Sequence, residues 1–507
     1  MKQIKESNKE MRLVSWQSTV GSWQCMGCLL MLGFICSCSV SKQISKQANT
    51  ILLSDTAISS GHIGISIYEP ATNKYWYNYN ATKYFIPASN TKLFTLYAGM
   101  KYLGDSLAGL RYTLSGTPED KGRIFAIQPT GDPTLLHPDF KRQPVMDLIV
   151  KYAKQYKNIS LLDTIWRDKA WGNGWAWNDY EDDYMAERNS FPIYGNVIDI
   201  KLNNVKDRKL KDSASEVRRP WLSLFKTQSS FLDYKINQNL YLVDQDSILL
   251  PNPGIKIKRE LTNNEFTFEF NSRKFTKMNI PFVTNGNETV SWIISDSVKT
   301  NFFSLFPNYN LSDSAFIVLS ADGHPRTVFL KNWKTLHSQP SDSLFKPMMH
   351  RSDNFFAEQT LLMASNKYLG YMSDNKIIDT LLKYDLKDVP QKPKWVDGSG
   401  LSRYNLFTPQ SFVYILNKTK NEFGWNRIKN ILPTGGTGTL SSYYKKDSGF
   451  IYAKTGTLSN NCALSGYLIT QKGKLLIFSV LANNYMTGAT PVRRAVEKFL
   501  LAIRENY

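Results

Sequence analysis

Apolar and polar positions along this 507-residue chain recur at two periods, and the change between them marks its elements. Ile63, Ile65 and Ile67 alternate with small or polar neighbours, turn at Pro70-Ala71-Thr72-Asn73, and resume in Tyr75 to Tyr79. That period of two predicts a β-hairpin. Leu93, Leu96 and Met100 then recur at i, i+3 and i+7, a stripe that predicts a helix with one face on a core. Pro87 can occupy the first turn without losing a needed hydrogen bond. Further on, Tyr112 to Leu114 and Arg123 to Gln128 predict strands, Met146 to Tyr156 a helix, and Leu161 to Trp166 a strand. Short β-like runs follow at Val197 to Lys201 and over 237–243, 253–260, 264–270, 288–294 and 313–319, with Asn and Gly turns between them. Phe355 to Ser365 predicts a helix. Phe450 to Ala453 predicts a strand, with Leu464 to Thr470 and Leu475 to Leu481 as antiparallel neighbours turning at Lys472-Gly473. Thr490 to Ile503 predicts an amphipathic helix with Val492, Val496, Phe499 and Leu500 on one side. Sheet and helix at both ends around a β-like middle predict one split domain, 39–105 with 331–507, carrying a β-rich insertion over 106–330. Residues 39–50 are polar and are expected to form a tether.

The N-terminus changes the picture. Lys2, Lys5, Lys9 and Arg12 precede the apolar run from Cys28 to Cys36, which is too short to span a bilayer and has the form of a signal peptide core. Residues 1–38 are therefore expected to be a leader, with Met11 as an alternative start. Ile35-Cys36-Ser37-Cys38 resembles a bacterial lipoprotein processing site, which would make Cys38 the lipidated first mature residue and tie the protein to a membrane. Ordinary signal cleavage, or an uncleaved anchor, is the plainer alternative. Four of the five cysteines lie in this leader, so Cys462 alone remains beyond it. An internal disulfide and a cysteine metal cluster are thereby excluded. The five histidines are scattered without metal-ligand spacing, so no metal or cofactor is expected. A net charge of +19 suits an anionic partner. Export, with no zinc-finger spacing, phosphate loop or RNP-like run, points away from nucleic acid and toward a wall polymer or membrane surface.

Candidate chemistry begins at Ser89 and Lys92. Three residues apart at a helix start, the hydroxyl and the amine share a face, an arrangement suited to a nucleophile and its base. The spacing alone is weak, because Ser-x-x-Lys also starts at Ser39, Ser223, Ser343, Ser373 and Ser442. Two further signals give it weight. Ser352-Asp353-Asn354 sits in a polar loop before a helix, and Lys454-Thr455-Gly456, which occurs once, ends an apolar strand. Trp171, Trp175 and Trp177, set among glycines, read more readily as a packed aromatic loop than as a binding platform.

Together the three motifs resemble those of serine β-lactamases and penicillin-binding proteins. The chain is most similar in pattern to the low-molecular-mass class C penicillin-binding proteins, the S13 family of D-alanyl-D-alanine carboxypeptidases and endopeptidases. The resemblance covers about residues 50 to 507 and extends to Gly131-Asp-Pro-Thr-Leu135, Gly174-Trp-Ala-Trp-Asn-Asp179, Asp397-Gly-Ser-Gly-Leu-Ser-Arg403 and Ser465-Gly-Tyr467. Tyr194-Gly-Asn196 departs from the family pattern. The fold it implies is an α/β (α+β) serine β-lactamase or penicillin-binding transpeptidase-like fold, an antiparallel sheet flanked by helices. The large insertion fits Ser89 and Ser352 lying 263 positions apart.

The resemblance also implies roles. Ser89 would be the nucleophile, Lys92 its base and Ser352 a proton relay to the leaving amine. Asn354 would orient substrate and Lys92, Lys454 would offer a fixed positive charge to the substrate carboxylate, and Thr455 would donate a hydroxyl to it. Gly456 would allow close approach, and the backbone amides of Ser89 and Thr457 would form the oxyanion hole. Asp353 would be structural. The expected partners are peptidoglycan peptides ending in D-Ala-D-Ala, with β-lactams as covalent inhibitors. A serine β-lactamase is the enzymatic alternative, disfavoured by the long insertion. A non-catalytic wall-binding protein is the other.

Overall fold

The computed structural model describes residues 40–115, 124–156, 158–202, 225–226, 255–264, 266–270, 277–305, 310–312, 315–319 and 325–507. The two ends of the chain build one sheet. Its five strands run in the order Ile451–Leu458, Asn461–Ile469, Leu475–Asn483, His62–Glu69, Lys74–Tyr79, and all pair antiparallel. The N-terminal hairpin joins the C-terminal meander through Ile65 opposite Val480. Asn461–Ile469 and Leu475–Asn483 are buried almost throughout, as strands covered on both faces must be.

The period of two divides the faces. Ile63, Ile65, Ile67, Leu464, Phe478 and Val480 point to one side, where the helix Ala489–Asn506 brings Val492, Val496, Phe499 and Leu500. Ala463, Tyr467, Ile477 and Leu481 point to the other, against the helices Lys92–Tyr102, Asn354–Leu369 and Pro409–Phe423.

Three expectations are corrected here. Residues 39–50 are no tether: 40–47 is helical and continues into Ala48–Leu53, burying Ile44, Ala48 and Leu52 beside the C-terminal helix. The polar residues there face solvent, and the few apolar ones pack. The run 288–294 is not a strand but part of the helix Glu288–Val298, whose Val290, Ile293 and Ile294 keep helical spacing and enter a core. Lys92–Tyr102 is not half exposed, since every residue from Lys92 to Met100 is buried. It is the central helix of the body, enclosed on all sides, so its single apolar stripe understates its burial.

The middle of the chain forms a second layer. Its largest sheet has the order Asn301–Leu305, Asn158–Leu162, Ile124–Pro129, Ser106–Ser115, Lys334–Pro340. The pairings of Asn158–Leu162 with both of its neighbours are parallel, so the sheet is mixed. Helices Pro144–Ala153 and Glu288–Val298 pack on it through Val145, Ile149, Val290 and Ile294. The region is therefore a mixed α/β assembly with smaller β-ladders such as Ile255–Arg259 with Phe266–Phe270, rather than β-ladders alone. The run 237–243 lies outside the described residues.

Two polar braces tie this layer to the helix Asn354–Leu369. The Gln359 amide donates to the Gly131 and Asn189 carbonyls at 2.8 and 2.9 Å. Arg188, fully buried, reaches Asp374 at 2.6 Å, Asp168 at 3.1 Å and Glu358 at 3.2 Å, with the Trp175 ring over its guanidinium. Burial and the nearby Asp397 push the Glu358 carboxyl above its ordinary value, against the pull of Arg188. Breaking such a buried cluster by removing its cation is strongly destabilising, because the acids left behind are desolvated and unpaired. Arg188→Met is expected to cost about 3–5 kcal/mol of stability, read as a lower midpoint in urea unfolding followed by circular dichroism.

Candidate active site

Ser89 lies on a short 3₁₀ turn, Ala88–Thr91, that feeds directly into Lys92–Tyr102. Ala88 precedes it with φ of +48°, a left-handed conformation that a non-glycine residue holds only under constraint. The constraint comes from the loop 397–403. Gly400, with φ of +82°, lies so close to the Ala88 carbonyl that a side chain there would strike it. Thr95 also donates to the Gly398 carbonyl at 2.6 Å. Asp397 organises this loop from within, accepting from the amides of Gly400 and Ser402 and from the Asn405 carboxamide at 2.7–2.8 Å. The Trp175 indole donates to it at 2.9 Å. The loop places the Ser399 carbonyl 2.7 Å from Lys92 Nζ, while the Ser399 amide donates to buried Glu358 at 2.7 Å.

Lys92 Nζ stands 2.9 Å from Ser89 Oγ, 2.7 Å from Asn354 Oδ1 and 2.7 Å from the Ser399 carbonyl. Its ammonium form would donate to all three. Its neutral form has two donors for the two carbonyl-type oxygens, which leaves the lone pair facing the serine hydroxyl. The side chain is fully buried and its pKa is lowered to about 8. Burial causes the drop, and the more distant carboxylates of Asp397, Glu358 and Asp353 oppose it.

Across the site, Lys454 Nζ donates to Ser352 Oγ at 2.8 Å and to the Thr455 carbonyl at 2.6 Å. Its pKa lies well below the usual lysine value, first through burial and then through the charges of Lys92 and Arg493. The expected fixed charge is thus conditional. Lys454 has only neutral oxygen acceptors, and an arriving anion would supply the missing countercharge. Ser352, at φ of +62°, accepts from Lys454, and Lys92 keeps its three other partners. Asp353 caps the helix Asn354–Leu369, its carboxylate accepting from the Phe356 amide at 2.9 Å. The other amide group of Asn354 donates to the Tyr184 carbonyl at 3.0 Å, tying the site to the middle layer.

Gly456 is required by space. A Cβ there would lie 2.6 Å from the Pro87 carbonyl and 3.1 Å from the Ser89 and Asn90 amide nitrogens, so the strand presses on the nucleophile's turn. Buried Asn90, which sequence reasoning passed over, locks that approach. With its amide nitrogen toward Lys454 it donates to the Lys454 carbonyl at 2.7 Å and accepts from Ser465 Oγ at 2.7 Å. The one signal for it was a polar pair, Asn90 and Thr91, set between the two motif residues at the start of an otherwise apolar helix. Ser399 acts through its backbone, which a sequence does not reveal.

The structure brings together Ser89, Lys92, Ser352, Asn354, Lys454, Thr455, Gly456 and Thr457. Of the other Ser-x-x-Lys spacings, Ser39 and Ser223 lie outside the described residues, as does Cys38. Trp175 packs as expected, whereas Trp177 is 76% exposed. Tyr194-Gly195-Asn196 is a left-handed turn whose Asn196 amide donates to the Glu187 carbonyl at 2.7 Å, a structural role. Among the described residues no cluster of His, Cys, Asp or Glu could hold a metal ion, and no helix is long and apolar enough to cross a membrane.

Comparison with known proteins places the chain in a family and its fold among solved structures. The profile of the D-Ala-D-Ala carboxypeptidase 3 (S13) family matches residues 45–220 and 331–504. The D-alanyl-D-alanine carboxypeptidase DacB of Haemophilus influenzae is 23% identical over 483 residues, covering 90% of this chain and 92% of that protein. The crystal structure of penicillin-binding protein 4 (dacB) from the same organism superposes with a TM-score of 0.66 at 20% identity, covering 91% of this chain and 99% of that one. A second crystal structure of that protein, complexed with a β-lactam, gives 0.63 at 20% identity, covering 92% and 99%. The fold is the penicillin-binding one, an antiparallel sheet flanked by helices. With its profile matched over 45–220 and 331–504, more than half of its length, this chain belongs to the D-Ala-D-Ala carboxypeptidase 3 (S13) family.

Proposed function

We propose that this protein is a serine-type D-Ala-D-Ala carboxypeptidase that acts on peptidoglycan stem peptides through an acyl-enzyme on Ser89 and is acylated there by β-lactams. The observation that carries the reading is the pairing of Ser89 with a buried lysine whose pKa is lowered to about 8. Family membership and the names of the relatives support it.

Ser89 Oγ attacks the carbonyl of the penultimate D-alanine as Lys92 takes the hydroxyl proton. The tetrahedral oxyanion is received by the backbone amides of Ser89 and Thr457, a contribution of about 3 kcal/mol per donor in such sites. Collapse expels the terminal D-alanine, whose amine takes a proton relayed through Ser352 from the lysines. Water then hydrolyses the ester. Asn354 holds Lys92 and the substrate amide, while Lys454 and the Thr455 hydroxyl receive the terminal carboxylate. Gly456 lets the substrate backbone lie along the strand. A β-lactam opens on the same serine, and its amine stays tethered in place of a departing D-alanine. The same chemistry applied to a wall cross-link would be D,D-endopeptidase activity.

In this reading residues 1–38 are an export leader, 39–105 with the C-terminal part form the catalytic body, and the middle of the chain is an insertion that closes at Pro340, where Lys334–Pro340 pairs with Ser106–Ser115. The protein works in the periplasm or cell envelope. If Cys38 carries lipid, the anchor lies two residues from the helix 40–47, and the catalytic body is held against the bilayer without a tether.

Ser89→Ala is expected to reduce D-alanine release from a D-Ala-D-Ala peptide by more than about a thousandfold, as measured by a D-amino-acid oxidase assay; release within tenfold of wild type would remove Ser89 from the role. Because Lys92 must be neutral to accept the proton, acylation should rise by about tenfold per pH unit below the pKa and level off above it, with the bend near the value of about 8. Stopped-flow measurement with a chromogenic β-lactam reads this directly, and a rate that falls between pH 6 and 8 would contradict it. Gly456→Ala should slow acylation by about a hundredfold with an unchanged circular dichroism spectrum, because the added methyl pushes the strand off the Ser89 turn.

A further inference from the structure

We infer that Arg493, on the C-terminal helix, is a further substrate-binding residue: its guanidinium, set against the Thr457 hydroxyl, anchors the terminal carboxylate of the substrate together with Lys454 and Thr455. The inference rests on the carboxypeptidase reading above and adds to it a residue outside the three motifs.

The strand Ile451–Leu458 carries its side chains alternately to the two faces of the sheet. Lys454 lies on the face of the central helix and reaches Ser352. Thr455 and Thr457, at alternate positions, share the opposite face, where the first turn of Ala489–Asn506 crosses the end of the strand. From that turn the Arg493 guanidinium donates to Thr457 Oγ1. Thr455 and Arg493 both border a small, mainly apolar gap between the sheet and the C-terminal helix, walled by Tyr443, Val480 and Val492.

Three observations set this arginine apart from an ordinary surface cation. It forms no ion pair with a carboxylate among the described residues, whereas its neighbour Arg494 pairs with Glu497 at 2.5 Å. Its Nε is buried without an oxygen acceptor, the Cys462 thiol being the polar group beside the guanidinium. Its charge lies near enough to Lys454 to help push that lysine's pKa down, so two cations flank the end of the strand with no acid between them. Placing two cations together without an anion is unfavourable unless a ligand supplies one. The planar fork of arginine suits a carboxylate, which it can bind through two parallel hydrogen bonds while a threonine hydroxyl donates a third. A carboxyl-terminal D-alanine presents such a group where the strand ends.

The test compares two substrates on the whole exported protein. One is an acylated D-Ala-D-Ala peptide with a free carboxylate, and the other is the same peptide as its C-terminal carboxamide. For Arg493→Gln, kcat/KM should fall at least tenfold for the carboxylate peptide, mainly through KM, and by less than twofold for the carboxamide. Arg493→Lys, which keeps the charge and loses the fork, should recover part of the loss. In wild type, added salt should weaken reaction with the carboxylate peptide more than with the carboxamide, and Arg493→Gln should narrow that difference. Equal effects on both peptides, or none on either, would overturn the inference. A wild-type protein that reacts with neither peptide and is not acylated by a fluorescent penicillin would instead overturn the carboxypeptidase reading, so the two failures are distinct.

Discussion

Two lysine side chains are fully buried a short way apart, and each is solvated only by neutral oxygens. That arrangement constrains everything around it. An ammonium group removed from water costs several kcal/mol unless its donors are matched, and here the matching is done by a hydroxyl, a carboxamide and a backbone carbonyl at Lys92. The carboxylates that would hold the charge most firmly are kept one shell back: Asp397 folds a loop, Glu358 receives an amide, and Asp353 caps a helix. A lysine held by a direct carboxylate would stay protonated and could not serve as a base at neutral pH. With the acids withdrawn, its pKa settles at about 8. Lys454 is also pushed well below its ordinary value, by burial and by the charges of Lys92 and Arg493, and the countercharge it lacks is the one a carboxylate ligand carries.

Holding neutral acceptors at 2.7 Å needs a rigid frame, and the middle region supplies part of it. Arg188 and Gln359 fix the helix that carries Asn354 and Glu358, and Trp175 reaches Asp397 across the same boundary. The middle region is thus mechanically continuous with the body built by the two ends of the chain. Tyr184, from a loop of that region, accepts from the same Asn354 amide whose oxygen meets Lys92. Lys92 and the middle region therefore meet at one residue, Asn354.

Much of this was legible in the sequence. Period-two runs at Ile63, Ile65 and Ile67 and from Leu464 onward located the catalytic sheet, because strands with one apolar partner layer alternate visibly. The three motifs located the candidate site, because their chemistry is local to a few adjacent residues. What was hidden depended on distance or on backbone. The helix at 288–298 is rich in β-branched residues, and only its packing reveals the helical spacing of Val290, Ile293 and Ile294. The segment 40–53 looks polar because only one side of it is covered. Ser399 acts through its carbonyl, Ala88 through its φ, and Arg493 through a crossing of helix and strand at the far end of the chain. None of these has a local signature.

Ser89, activated by Lys92, is the residue we propose to become acylated. Intact-protein mass spectrometry after exposure to benzylpenicillin, followed by peptide mapping, tests it most directly. A single adduct of one penicilloyl group is expected, located on the peptide that contains Ser89. An adduct on a different serine, or no adduct in folded protein, would contradict it.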